Sequence, residues 1–176
     1  MALPRDPDGA PLYSGTCRGR EMPVNEGGVA WRLDMEMALK TISEPLCYWR
    51  EDETGSGQSV SVNPLQWGDV VLARKDIATS YHLSVVVDDA LQGITHVVRG
   101  TDLEAATSIH VVLQFLLGLQ TPVYRFHPLI EDERGVKLAK SRGSESLHDL
   151  RERGITSSDI RRNLGFWPCS APAKNA

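Results

Sequence analysis

Thr95-His96-Val97-Val98-Arg99-Gly100-Thr101-Asp102 is a short β-branched run that stops at a glycine and meets a helix-capping acid. Thr95 to Arg99 reads as a strand, because valine-rich runs bounded by turn residues suit a pleated, half-buried surface. Asp102 is then placed to cap a helix whose apolar face is Ala106, Ile109, Leu113, Leu116 and Leu117, with Gly118 closing it. Pro122 to Ile130 follows as a second strand. Strand, helix and strand in this order predict a parallel α/β sheet.

Working outward, Gly68 to Arg74 reads as another short strand turned by Lys75-Asp76, and Trp31 to Met35 alternates in the manner of a strand. Glu51 to Asn63 reads as a polar Gly/Ser loop. Ser80 to Leu91 supports two readings. Val85-Val86-Val87 favours a strand, whereas Tyr81, Val85, Val86 and Ala90 also share one helical face. Downstream, Leu147 and Leu150 lie on a short helix ended by Gly154, and Thr156 caps another that carries Ile160 and Leu164 and ends at Gly165. Residues 1 to 28, rich in Pro and Gly, read as loop or short hairpin. A chain that opens on turn chemistry is expected to start partway through a larger unit. No internal repeat is visible.

At 176 residues the chain is the size of one domain, able to bury about 70 % of its unfolded surface. Its 41 % hydrophobic and 24 % charged residues are ordinary for a globular protein. No apolar run approaches the ~20 residues that span a bilayer, and Met1 to Arg5 is not a signal peptide, so no membrane partner is expected. Cys17, Cys47 and Cys169 are too scattered for a disulfide framework, which predicts a cytoplasmic location. A net charge of −4 argues against indiscriminate nucleic-acid binding. Between Arg134 and Arg162, however, eight Lys/Arg stand against four Asp/Glu, a local excess that suits phosphates or a solvated helical surface.

Chemistry has a few candidate places. Val136-Lys137-Leu138-Ala139-Lys140-Ser141 sets two lysines among small residues in a loop, where both can converge on one polyphosphate. Ligands in open α/β sheets bind beyond the carboxyl ends of strands. Arg99 stands at such an end, before a glycine, and its planar fork suits a carboxylate; the alternative is an ion pair with Asp102 or Glu104. A carboxylate binder beside a polyphosphate binder points to activation of an amino or organic acid by a nucleotide. Tyr13 and Cys17 hint at a metal, but two ligands cannot close a tetrahedral zinc site, and nothing in the spacing recruits Cys47. Asp88-Asp89 lacks a third acid nearby, and the histidines (His82, His96, His110, His127, His148) show no ligand spacing.

The order of these motifs carries a resemblance. The stretches from Trp67 to Leu83, from Val85 to Leu103 and from Lys137 to Ser141 closely resemble the glutamyl-tRNA synthetase group of class I enzymes. Asp8 to Gly19 and Trp31 to Asp34 look like its short glutamyl-Q tRNA(Asp) branch. The resemblance covers most of residues 6 to 166 and implies the second half of a Rossmann-like parallel sheet. Residues 1–66 would be a zinc-site remnant and connector, 67–143 the catalytic half-domain, 144–166 helices and 167–176 a tail. It also implies a helix at Ser80 to Ala90.

That family activates L-glutamate with ATP, and the short branch then transfers glutamate to queuosine in tRNA(Asp). By resemblance, Tyr81 and Arg99 fall on glutamate-binding positions, and Lys140 on the ATP-contacting lysine of the KMSKS loop, with Lys137 beside it as a second catalytic lysine. Tyr13 and Cys17 fall on half of a zinc site. The family's first Rossmann strand, HIGH motif and Cys-x-Cys ligands have no counterpart before Tyr13, and Ala139 stands where a serine is usual. The chain alone is therefore expected to be inactive without a complementing N-terminal half, and zinc binding is in doubt. The rival expectations are a fragment of a discriminating glutamyl-tRNA synthetase and a non-catalytic paralogue that binds tRNA or a partner.

Overall fold

The computed structural model describes residues 3–20 and 28–166. The expected tail, 167–176, lies outside the described residues, as do parts of the N-terminal loop. The chain divides into two compact units, Met1–Pro128 and Leu129–Ala176.

In the first unit the elements run β1 (Trp31–Arg32), α1 (Met35–Lys40), β2 (Cys47–Glu51), β3 (Gly57–Ser61), β4 (Val71–Ala73), α2 (Tyr81–Leu91), β5 (His96–Gly100), α3 (Thr107–Leu116) and β6 (Val123–His127). The main sheet has the order β3-β2-β6-β5. β5 and β6 pair in parallel from His96↔Val123 to Gly100↔His127, with α3 as the crossover, which is the unit the sequence predicts. β2 joins β6 in parallel, and β3 returns antiparallel along β2. The fold is mixed α/β with a parallel centre.

Four expectations change, three of them about strands. Glu51 to Asn63 is not a loop, because Gly57–Ser61 forms β3 and only the turn between the strands is irregular. That turn is closed by Asp52, whose Oδ1 accepts from the backbone N–H groups of Thr54 and Ser56 at 2.8 and 3.1 Å. The strand predicted at Gly68 to Arg74 is short and pairs with β1 in a separate two-stranded ribbon, away from the sheet. Asp69 explains this. Its buried carboxylate accepts from Arg18 at 2.6 Å and from the Met35 N–H at 3.1 Å, tying the ribbon to the N-terminal segment and to α1. The strand expected at Trp31 to Met35 stops early, because Asp34 caps α1 by accepting from the Met37 N–H at 3.0 Å.

Asp102 is not the cap of α3. Thr101–Leu103 form a 3-10 turn, and α3 begins later with Ala106 at the capping position. The two readings of Ser80 to Leu91 resolve to helix. Ser80 caps α2, and Val86 is buried against Ile109 and Val112 of α3 in a core with Met35, Trp67, Val70, Ala106 and Leu113. Burial of each such side chain contributes about 2 kcal/mol, which outweighs a valine's preference for strand.

α3 is buried on all sides from Thr107 to Gln114. One face enters the helical core, and Val111 packs on Tyr48 and Tyr124 of the sheet. Its buried polar side chains therefore need partners from the sheet. Gln114 Nε2 finds the Tyr124 hydroxyl at 3.0 Å, and Thr107 and His110 find Arg99.

The second unit begins with a tight turn. Asp132 Oδ1 accepts from the N–H groups of Arg134 and Val136, both at 2.9 Å, and Glu131 bridges Lys137. A 3-10 turn at Lys140–Arg142 precedes α4 (Leu147–Glu152) and α5 (Ser157–Asn163). Both helices open with a reciprocal capping box, Ser146 with Asp149 and Thr156 with Asp159.

Candidate active site

Arg99 is at the carboxyl end of β5, next to the last residue of the strand, and is only 8 % exposed. A buried guanidinium is costly unless its charge is met. One terminal nitrogen donates to Thr107 Oγ1 at 3.1 Å and to His110 Nδ1 at 3.0 Å, and the guanidinium carbon lies 5.0 Å from the centre of the Tyr124 ring. These partners are all uncharged. Glu104, an expected partner, is taken instead by Arg50 at 2.6 Å. Arg99 Nε is buried and has no hydrogen-bond partner. Among the described residues, no carboxylate makes an ion pair with Arg99. This is a buried cation with donor capacity to spare, and it suits an anionic ligand.

Tyr81 opens α2 and is exposed, with its ring 6.0 Å from His110 and 5.5 Å from His82. The structure thus brings Tyr81 and Arg99 to the same histidine. His82 Nδ1 and His110 Nε2 are 3.0 Å apart. Burial, and then the positive charge of Arg99, lower the His110 pKa to about 3; burial also lowers that of His82. His82 and Tyr124 carried no signal in the sequence, and Thr107 and His110 carried only a weak one. The one available clue was the spacing of Thr107 and His110, a helical turn apart on a crossover helix leaving the Arg99 strand.

In the second unit Lys137 is exposed, at the end of the turn that begins at Glu131. The backbone between the two lysines is held at two adjacent residues. Leu138 N–H donates to the Ile130 carbonyl at 2.9 Å, and Ala139 N–H donates to Ser144 Oγ at 2.9 Å. Lys140 starts the 3-10 turn that follows.

Tyr13 and Cys17 do lie together. The Tyr13 hydroxyl accepts from the Cys17 N–H at 2.7 Å, and both line a cleft of about 650 Å³ with Arg18, Arg32 and Asp69. They do not complete a zinc site. Zinc takes four ligands, and among the described residues the one group of three suitable side chains is His148, Asp149 and Glu152, exposed on α4. Asp88 and Asp89 join no such group.

Residues 46–171 match the family of class I tRNA synthetases (E and Q), catalytic domain. The chain belongs to that family. It is similar to the glutamyl-Q tRNA(Asp) synthetase of Rhodobacter capsulatus, 44 % identical over 172 residues, which are 93 % of this chain and 59 % of the relative. It is also similar to the glutamyl-Q tRNA(Asp) synthetase of Deinococcus radiodurans, 34 % identical over 96 % of this chain and 57 % of the relative. The chain thus spans a little over half the length of these relatives. Among solved structures, a glutamate tRNA ligase from Elizabethkingia meningosepticum in complex with its amino acid is 25 % identical, over 67 % of this chain and 20 % of that one, with a TM-score of 0.42. No described helix is long and apolar enough to cross a membrane.

Proposed function

We propose that the protein activates L-glutamate with ATP and transfers it to the queuosine base of tRNA(Asp). One observation carries the reading. Arg99 is buried at a strand end with uncharged hydrogen-bond partners only, and Asp89 acts on it at longer range without an ion pair, so a substrate carboxylate would supply the direct counter-charge. Tyr81 stands at the exposed side of the same cluster and can contact the amino acid.

In this reading Arg99 and Tyr81 hold L-glutamate, and its α-carboxylate oxygen attacks the α-phosphorus of ATP. The bond from that phosphorus to the β-phosphate oxygen breaks, giving glutamyl-adenylate and pyrophosphate. Lys137 and Lys140 meet the phosphates and stabilise the charge that develops as pyrophosphate leaves. Lys140 is assigned the ATP contact. The exposed Lys137 and the pinned backbone of its loop support this role. The queuosine acceptor rests on the names of the similar proteins. Because the chain spans 59 % of one such relative, the reaction is proposed for a protein that also carries the remainder, on the same or a complementing chain. No step is assigned to zinc.

The test is L-glutamate-dependent ATP–pyrophosphate exchange by the full gene product. Arg99→Ala should abolish it, and Lys140→Ala should lower its rate while leaving the KM for glutamate unchanged. Normal exchange by Arg99→Ala would remove the reading. Glutamate transferred to the 3′ end of tRNA(Glu), with none on queuosine-containing tRNA(Asp), would redirect it to the discriminating synthetases.

A further inference from the structure

Arg99, His110 and His82 form a hydrogen-bonded chain whose direction is fixed by chemistry. A guanidinium nitrogen can only donate. His110 Nδ1, 3.0 Å from it, must therefore be an unprotonated acceptor, so His110 is neutral and carries its proton on Nε2. That Nε2–H then donates to His82 Nδ1 at 3.0 Å, which leaves the His82 proton on Nε2 as well. Protonating His110 would set an N–H against the Arg99 N–H. His110 is 3 % exposed and held by α3, so it cannot turn to water instead.

We propose that His110 is a positioning residue for Arg99. As a fixed neutral acceptor, it pins one terminal nitrogen of the guanidinium and leaves the donors of the other, Nη1, for the substrate carboxylate. Thr107, one turn earlier on α3, supplies the second acceptor to the same nitrogen. Two acceptors on one buried helix allow a single orientation of the planar fork, whereas Tyr124 constrains only the position of its face. His82 completes the chain by accepting from His110, which excludes the tautomer that would place a donor against Arg99. The other charged groups felt by the two imidazoles are Asp8, which acts on His82, and Arg99 itself. The inference rests on the reading of Arg99 as the glutamate-binding group.

Two experiments test it. In glutamate-dependent ATP–pyrophosphate exchange by the full gene product, His110→Phe should raise the KM for L-glutamate roughly 10- to 100-fold, the usual effect of losing a hydrogen bond to a charged group. The KM for ATP should not change. His110→Asn, whose amide oxygen can take the place of Nδ1, should recover most of the loss. An unchanged glutamate KM in His110→Phe, while Arg99→Ala abolishes exchange, overturns the positioning role and leaves the function standing. Full activity of Arg99→Ala removes the function itself. Should His110→Phe fail to fold, nitrogen NMR of the unsubstituted full gene product decides. His110 Nδ1 should resonate as an unprotonated nitrogen and Nε2 as a protonated one across neutral pH, and the opposite tautomer overturns the proposal.

Discussion

Arg50 Nη1 lies 2.6 Å from Glu104 Oε1, and this pair withholds from Arg99 an acid that follows it closely in the chain. Arg50 comes from β2 and Glu104 from the turn before α3, so the sheet itself sequesters the carboxylate. Tyr48 senses the arrangement. Burial pushes its hydroxyl up, Glu104 adds to that, and Arg50 and Arg99 both pull it down, so all three charges surround one ring. Arg50→Ala should free Glu104 to compete with the substrate for Arg99. The pair is partly exposed, so the effect should be small, about a 2- to 5-fold rise in the KM for L-glutamate. Adding Glu104→Gln should reverse it. A KM that does not move in Arg50→Ala means that Glu104 is held away from Arg99 by packing alone.

Arg99 itself should separate function from stability. A buried cation that no described carboxylate pairs directly, Asp89 acting on it only at longer range, stabilises little, and replacing such groups by apolar ones is often neutral or favourable. Arg99→Met would remove that desolvation cost but leave His110 Nδ1 without its donor, a cost of about 1–3 kcal/mol. The two effects oppose each other, so the unfolding free energy in urea should stay within about 1 kcal/mol of the unsubstituted protein. L-Glutamate should raise the Tm of the unsubstituted protein and leave that of Arg99→Met unchanged. A variant that loses several kcal/mol would make Arg99 a structural prop.

The contrast between Arg99 and its surroundings shows what the sequence could yield. The strand and crossover helix after Thr95, the two late helices with their Thr156 and Gly165 signals, and Arg99 at a strand end follow from local chemistry. His110 and His82 do not. Their roles depend on α3 being enclosed between helical core and sheet, a long-range fact that no spacing of histidines encodes. Strand β3 was hidden for a similar reason. Gly57-Gln58-Ser59-Val60-Ser61 has the composition of a loop and becomes a strand by pairing with β2. In the same way Asp102, a good cap by type, yields to a 3-10 turn when the chain enters α3 later.

Gly57 gives that missed strand a direct test. A Cβ there would lie 2.6 Å from the Arg50 carbonyl oxygen and 2.5 Å from Trp49 Nε1. The exposed Trp49 ring can move, but the carbonyl belongs to the paired strand and cannot give way without shifting the hairpin. Gly57→Ala should therefore cost about 2–3 kcal/mol in urea unfolding. Gly55, in the turn with φ of 82° and no close backbone atom, should cost only about 1 kcal/mol as Ala, from backbone strain. Equal costs at the two positions would mean that β3 does not lie against β2 as described.

The histidine pair also predicts how acid unfolds the first unit. His110 has its pKa lowered from 6.5 to about 3, mainly by burial, and His82 is shifted in the same direction by the same cause. Both are neutral in the folded protein where the unfolded chain takes up protons. The unfolded state thus binds more protons below pH 6.5, and stability must fall with pH from there toward about 3. His110 should cost up to about 1.4 kcal/mol per pH unit, and His82 adds in the same direction. The carboxylates held low, Asp52, Asp76, Asp149 and Asp159, act mainly as pH falls toward and below their usual 3.8, whereas Asp89, raised by burial, takes up its proton earlier when folded and partly offsets the histidines. Urea unfolding of the unsubstituted protein should weaken steadily between about pH 6.5 and about pH 4, and His110→Asn should flatten that slope. A slope left unchanged by His110→Asn would mean that His110 takes up a proton as readily when folded as when unfolded, contrary to its place between Arg99 and His82.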